Sequence, residues 1–194
     1  MSELTAGAVT AFFDRVASDW DEMRLVYYDE AVIEHLAAAA EPDPDPSMTI
    51  ADIGTGTGFV AAGLAGRVAH VIGIDDSAGM LAVAEKNLRQ LGVCNVELRR
   101  GDAAALPLPD DSVDAAVANM VLHHAVDPAA MLGEMARVVR PGGTVAICDE
   151  AEHPYAWMRE EHADVWLGFT EPQVHAFFTA AGLGRPSIAA LGRQ

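Results

Sequence analysis

Asp52, Gly54, Gly56 and Gly58 alternate through M-T-I-A-D-I-G-T-G-T-G-F, residues 48–59, and make the chain's strongest chemical signal. An acid beside three glycines offers negative charge next to backbone without Cβ atoms, where a ligand can press on bare amides and a cation can find a counter-charge. Asp75 follows Gly54 by 21 positions, about the interval at which a βαβ unit sets a carboxylate opposite ribose hydroxyls. Asp76 beside it reads as solvated. His123, His124 and His153 have the intrinsic pKa of a general base, and each could equally be structural. Alone, the glycine triplet also suits an ordinary turn, and Gly101-Asp102 is a common turn dipeptide; order along the chain gives both their weight.

The elements that must position these residues alternate. Residues 49–53 read as a buried strand, 59–64 as the helix after the glycine turn, and 70–74 as a second strand ending at Asp75. Ser77 caps a helix over 78–91 that Gly92 closes. Strands follow at 96–99, just before Asp102 and Ala103, and at 114–118, just before Asn119 and the histidine pair. Asp127 and Pro128 start a helix, and P-G-G at 141–143 turns into a strand over 144–148. Thr170 and Gln173 form a capping box for a helix ending near Gly182, and 187–191 is read as a last strand. Ahead of the sheet, Val9, Phe12, Phe13 and Val16 recur at helical spacing, and Asp29 can cap a second helix. Trp20, Tyr27 and Tyr28 between the two are lid candidates, and E-P-D-P-D-P at 41–46 is a stiff connector. One domain is expected over 1–194: cap and linker at 1–46, core at 47–150, acceptor-side helices and last strand at 151–194.

A dinucleotide fold would carry a third glycine where Phe59 stands. The pattern D-x-G-x-G-x-G instead resembles motif I of the class I S-adenosylmethionine (AdoMet)-dependent methyltransferases. F-F-D-R-V-A-S-D-W-D, G-I-D-D-S-A-G-M-L and V-V-R-P-G-G extend the likeness to the small-molecule, quinone-biosynthesis-like group, methyltransferase type 11. The resemblance implies an α/β fold with a Rossmann-like, doubly wound, mostly parallel sheet and an N-terminal helical cap; the chain is expected to depart from it in a shortened C-terminus without the family's last antiparallel strand. It implies AdoMet as cofactor, S-adenosyl-L-homocysteine as product, and in-line methyl transfer to a small molecule. Asp52, Gly54, Thr55, Gly56 and Gly58 would form the cofactor turn, and Asp75 would hold the ribose, with Asp76 alongside. Met80, Asp102 and Ala103 would meet the adenine, and Asn119 would face the methyl. A methyltransferase-like module that binds without catalysing is the alternative, and an NAD-dependent oxidoreductase is weakened by the missing glycine.

Net charge is −17, from 12 Lys and Arg against 29 Asp and Glu. No nucleic-acid partner is expected of such a chain. Apolar residues make up 51% of it, but none of its apolar runs is long enough to span a bilayer, so a cytoplasmic location without membrane association is expected. Cys94 and Cys148 lack metal-ligand spacing, no metal is expected, and the pair does not resemble the reactive cysteines of arsenite methyltransferases. The apolar run at 187–191, read as an open edge, suggests a weak homodimer.

Overall fold

The computed structural model describes residues 4–40 and 44–191, so 41–43 of the expected connector lie outside the described residues. Three helical segments come first. α1 (Ala6–Val16) starts at Thr5, whose hydroxyl accepts from the Ala8 amide, and it buries Phe12. α2 (Trp20–Met23) continues through a 3-10 turn at Arg24–Val26. α3 (Ala31–Ala39) turns Val32, Ile33, Leu36 and Ala37 inward, the 3.6-residue stripe of a helix laid on a core.

The sheet contains β1 (Thr49–Ile53), β2 (His70–Asp75), β3 (Val96–Arg100), β4 (Val113–Asn119) and β5 (Val139–Cys148). Their spatial order is β3-β2-β1-β4-β5, and every pairing is parallel. Parallel neighbours need crossovers, which α4 (Phe59–Ala65), α5 (Ala78–Leu91) and α6 (Pro128–Val138) supply. Side chains alternate across the central strands. Ile50, Val71 and Val117 pack with α3 and α4, while Ala51, Ile53, Ile72 and Ile74 pack with α6 and the C-terminal aromatics. Both faces are therefore covered, as an all-parallel sheet requires. Strand order reverses between β1 and β4, which opens a crevice beyond their carboxyl ends.

After β5 come α7 (Met158–Glu161) and α8 (Glu171–Ala180), the latter with the expected Thr170–Gln173 capping box. The expected strand over 187–191 is absent, and with it goes the edge on which the homodimer reading stood. Gly182 (φ +74°) turns the chain off α8 and Pro186 contributes no ladder donor. Ile188 and Leu191 are left 41% and 43% exposed. No helix of the described residues is long and apolar enough to cross a membrane.

Candidate active site

The glycine turn is built by backbone bonds to its neighbours. Gly54 and Thr55 amides both donate to the Ile74 carbonyl, at 2.8 and 3.0 Å, fastening the end of β1 to the end of β2. The Thr55 hydroxyl donates to Asp52 Oδ2 at 2.6 Å, and the Gly56 amide to Asp75 Oδ2 at 2.8 Å. Asp75 Oδ1 accepts from the Ser77 amide at 2.9 Å, while the Ser77 hydroxyl caps α5 at Met80. The glycines differ in what they serve. A Cβ on Gly54 would lie 2.4 Å from a Val121 methyl, so that position is closed by packing. One on Gly56 (φ +53°) would meet only Trp20 Nε1, at 3.8 Å, so its backbone stands bare toward the crevice.

Burial sets the electrostatics. Asp52 is pushed up to about 7 by loss of solvent, against the lowering hydrogen bonds of Thr55 and Ala61 and with the Asp75 charge adding to the rise. Asp75 is pushed up to about 6 by burial, against the Ser77 and Gly56 amides and with the Asp76 and Asp14 charges adding. Asn119, at the carboxyl end of β4, is buried, and its Oδ1 has no hydrogen-bond partner among the described residues. An acceptor atom left so at the mouth of a crevice is open to a donor from water or a ligand.

The crevice is a cleft of about 250 Å³. It is lined by Asp52, Gly54, Thr55, Gly56, Asp75, Asp76, Met80, Asp102, Ala103 and Asn119, which the fold gathers from four strand ends. Asp102 is exposed and accepts from the Ala104 amide at 2.8 Å. Gly58 does not line the cleft; in the left-handed region at φ +82° it starts α4 against Ala84. Asp76, expected to be solvated, accepts a hydrogen bond from Thr10 on α1.

The cap closes over this cleft with polar anchors that the sequence did not single out. Asp14 Oδ1 accepts from the Ser77 hydroxyl at 2.6 Å and the Gly79 amide at 2.9 Å, so α1 sits on the start of α5. Asp21 accepts from the Thr57 hydroxyl at 2.7 Å and from Asn87 Nδ2 at 2.9 Å. Trp20 and Tyr28 line the cleft, and burial pushes the Tyr28 phenol up to about 12. Tyr27 does not line it: its hydroxyl is 3.1 Å from His162 Nε2, in a separate small chamber.

The three histidines also part company. His124 forms part of the cleft wall, with Phe13 edge-on at 4.8 Å between ring centres, and burial and the adjacent His123 hold it well below the usual histidine range. His123 is buried behind it, with Nδ1 2.8 Å from Asp149 Oδ1. Burial opposes charge on that ring, but Asp149, then Glu150 and Asp164, raise it to about 9. His153 lines neither cavity and lies 2.8 Å from Glu150. The geometry therefore leaves His124 as the histidine of the cleft.

The family model described as a methyltransferase domain matches residues 51–147. Demethylmenaquinone methyltransferase of Clavibacter sepedonicus is 34% identical over 169 residues, 87% of this chain and 68% of that protein. The 2-phytyl-1,4-naphtoquinone methyltransferase of Synechococcus elongatus is 33% identical over 176 residues, covering 86% of this chain and 73% of its own. Among solved structures, the DhpI complex with SAH superposes with a TM-score of 0.65 at 27% identity, over 79% of this chain and 72% of that one.

Proposed function

The chain belongs to the methyltransferase-domain family as an AdoMet-dependent enzyme that methylates a small molecule, and from that premise we propose that its acceptor is an uncharged aromatic ring of quinol type. AdoMet supplies the methyl as a sulfonium carbon, and the protein must hold the acceptor in line with it and keep water out. The cleft's composition carries this assignment. Beyond Asn119 its walls are Val9, Phe13, Val121, Val126 and Met131 with His124 and Asp127, whose carboxylate caps α6 at Ala130, and among the described residues neither Lys nor Arg lines it. A phosphorylated acceptor would find no counter-charge there, whereas a ring would bury apolar surface on both sides. The two relatives named for quinone substrates support the same class.

The residue roles belong to the same proposal. Asp75 accepts from the ribose hydroxyls, the bare Gly56 backbone takes close contact, and Asp102 with the Ala103 amide reads the adenine edge beside Met80. Asp52 and Thr55 carry the turn beneath the cationic end, Asn119 Oδ1 receives a donor there, and His124 contacts the acceptor's ring oxygen. Calorimetry with AdoMet, followed by turnover of a short-chain naphthoquinol read as S-adenosylhomocysteine release, tests the scheme. Asp75→Ala should weaken AdoMet at least about tenfold, since charge-assisted bonds contribute about 1.5–3 kcal/mol each. Because Asp75 also accepts from Gly56 and Ser77, Asp75→Asn, which keeps one acceptor oxygen, should lose less. Unchanged affinity in the alanine variant would remove the ribose assignment. AdoMet binding without naphthoquinol turnover would remove the acceptor class.

A further inference from the structure

Behind His124 and adjoining the cleft, with Trp20, Tyr28 and Met120 in both linings, lies a second chamber of about 20 Å³, room for one water molecule or one ion. His123, His124, Glu150, His162 and Asp164 line it with Tyr27, and among the described residues no Lys or Arg does. Asp164 dominates it. The side chain is fully buried, yet neither carboxylate oxygen accepts a hydrogen bond from any described residue. Among the described residues its nearest cation is the His123 ring, 3.9 Å away and out of hydrogen-bond reach, and a metal ion taking Nε2 in place of its proton would satisfy the carboxylate directly.

The surroundings have the form of a ligand set. His123 Nε2 is 3.9 Å and His124 Nδ1 4.0 Å from Asp164 Oδ1, too far to hydrogen-bond. The three donor atoms lie within 4.8 Å of one another, and Glu150, His153 and Asp164 form a second such group on the same carboxylate. Three donors spaced near 4 Å leave a point about 2.3 Å from each, and shifts of a few tenths of an ångström bring them to the bond length of a first-row divalent ion to imidazole nitrogen or carboxylate oxygen. Support behind the ligands is already built. Asp149 holds His123 Nδ1 at 2.8 Å, and is itself fixed by the Val121, Leu122 and Glu150 amides. A carboxylate that takes the far N–H of a histidine leaves Nε2 free to ligate. The His123 carbonyl in turn accepts from the Val165 and Trp166 amides, so the segment bearing Asp164 is tied to the histidine pair. His124 Nδ1 also stands 3.2 Å from the Ala163 carbonyl, a contact that an ion would replace.

We infer that His123, His124 and Asp164 form a binding site for one divalent transition-metal ion of the zinc or manganese type, with Glu150 balancing its charge. Nitrogen and carboxylate donors without a thiolate fit those ions better than copper(I), and two imidazoles disfavour magnesium or calcium. The ion would lock the histidine pair and so the acceptor wall of the cleft.

The site can be tested without methyl transfer. The full chain, free of any affinity tag, is stripped with chelator, dialysed against Zn²⁺ or Mn²⁺ and assayed for metal by mass spectrometry. One ion per chain is expected. Asp164→Asn and His123→Gln should each weaken binding at least about tenfold, and Asp149→Asn, which removes no ligand, should weaken it by about tenfold or more. Asp75→Asn, in the cofactor cleft, should bind metal as the parent does, which separates this site from the AdoMet assignment. X-ray absorption of the zinc-loaded parent, which requires no variant to fold, should show only nitrogen and oxygen neighbours. No stoichiometric ion, undiminished binding by folded Asp164→Asn, or a sulfur neighbour would each overturn the proposal.

Discussion

Gly54 and Gly56 are two positions apart and identical in type, yet the structure gives them opposite work. A methyl on Gly54 collides with Val121, and the left-handed φ of +67° adds its own cost, together about 2–4 kcal/mol. Gly54→Ala should therefore lower the melting temperature markedly by calorimetry. Gly56→Ala pays only the backbone cost of about 1–2 kcal/mol and should lose AdoMet affinity more than stability; the reverse order would assign packing to Gly56. A pH effect belongs to the same residues. Asp52 and Asp75 sit at about 7 and about 6 in the free protein, and a cationic ligand prefers both ionised. Protons thus compete with AdoMet: affinity should fall as pH drops from 8 through 7 to 6, and binding near pH 6.5 should release protons. Calorimetry in buffers of different ionisation enthalpy reads that release, and net uptake would contradict the sign. The acids that line the turn were legible because strand, glycines and carboxylates are neighbours in sequence. Asp14, Asp21 and Asp164 were not, since the groups that explain them lie far along the chain.

Among elements, those read correctly from sequence carry their own start and stop signals. Ser77 and Gly92 bound α5, Asp127 and Pro128 begin α6, and Thr170 with Gln173 begins α8. Local chemistry decided each boundary. The run at 187–191 failed for the opposite reason: S-I-A-A-L looks strand-like alone, but a strand exists only with a partner, and the chain brings it to none. The separation of Tyr27 from Tyr28 turned on the 3-10 turn at Arg24–Val26, too short to announce itself in composition. The cap carries an element-scale prediction. α1 is held to the body by Asp14 and Thr10 and α2 by Asp21, three polar anchors around the cleft mouth. Amide hydrogens of α1 should exchange faster without AdoMet than with it, because ligand entry must release those anchors. Equal protection in both states would make the cap a fixed part of the core.

For the molecule as a whole, the alternation of strands and helices made a doubly wound sheet legible, and the order β3-β2-β1-β4-β5 follows the crossovers such a chain allows. The net charge of −17 and the acids of the cleft favour approach of a cationic cofactor, an effect that salt should weaken. The anchors of the cap also have a history in time. Asp14 reaches Ser77 and Gly79 across 63 and 65 residues, and Thr10 reaches Asp76 across 66. During synthesis α1 emerges long before the strand end and helix start that receive it, and Phe13 waits longer still for His124, its ring partner beyond β4. Contacts of that span repay their loop-closure entropy late. In refolding followed by pulsed hydrogen exchange, β1 and β2 should gain protection before α1 does. A chain cut after residue 74 should leave α1 with nothing to hold, which makes the cap a reporter that the nucleotide fold behind it has been finished.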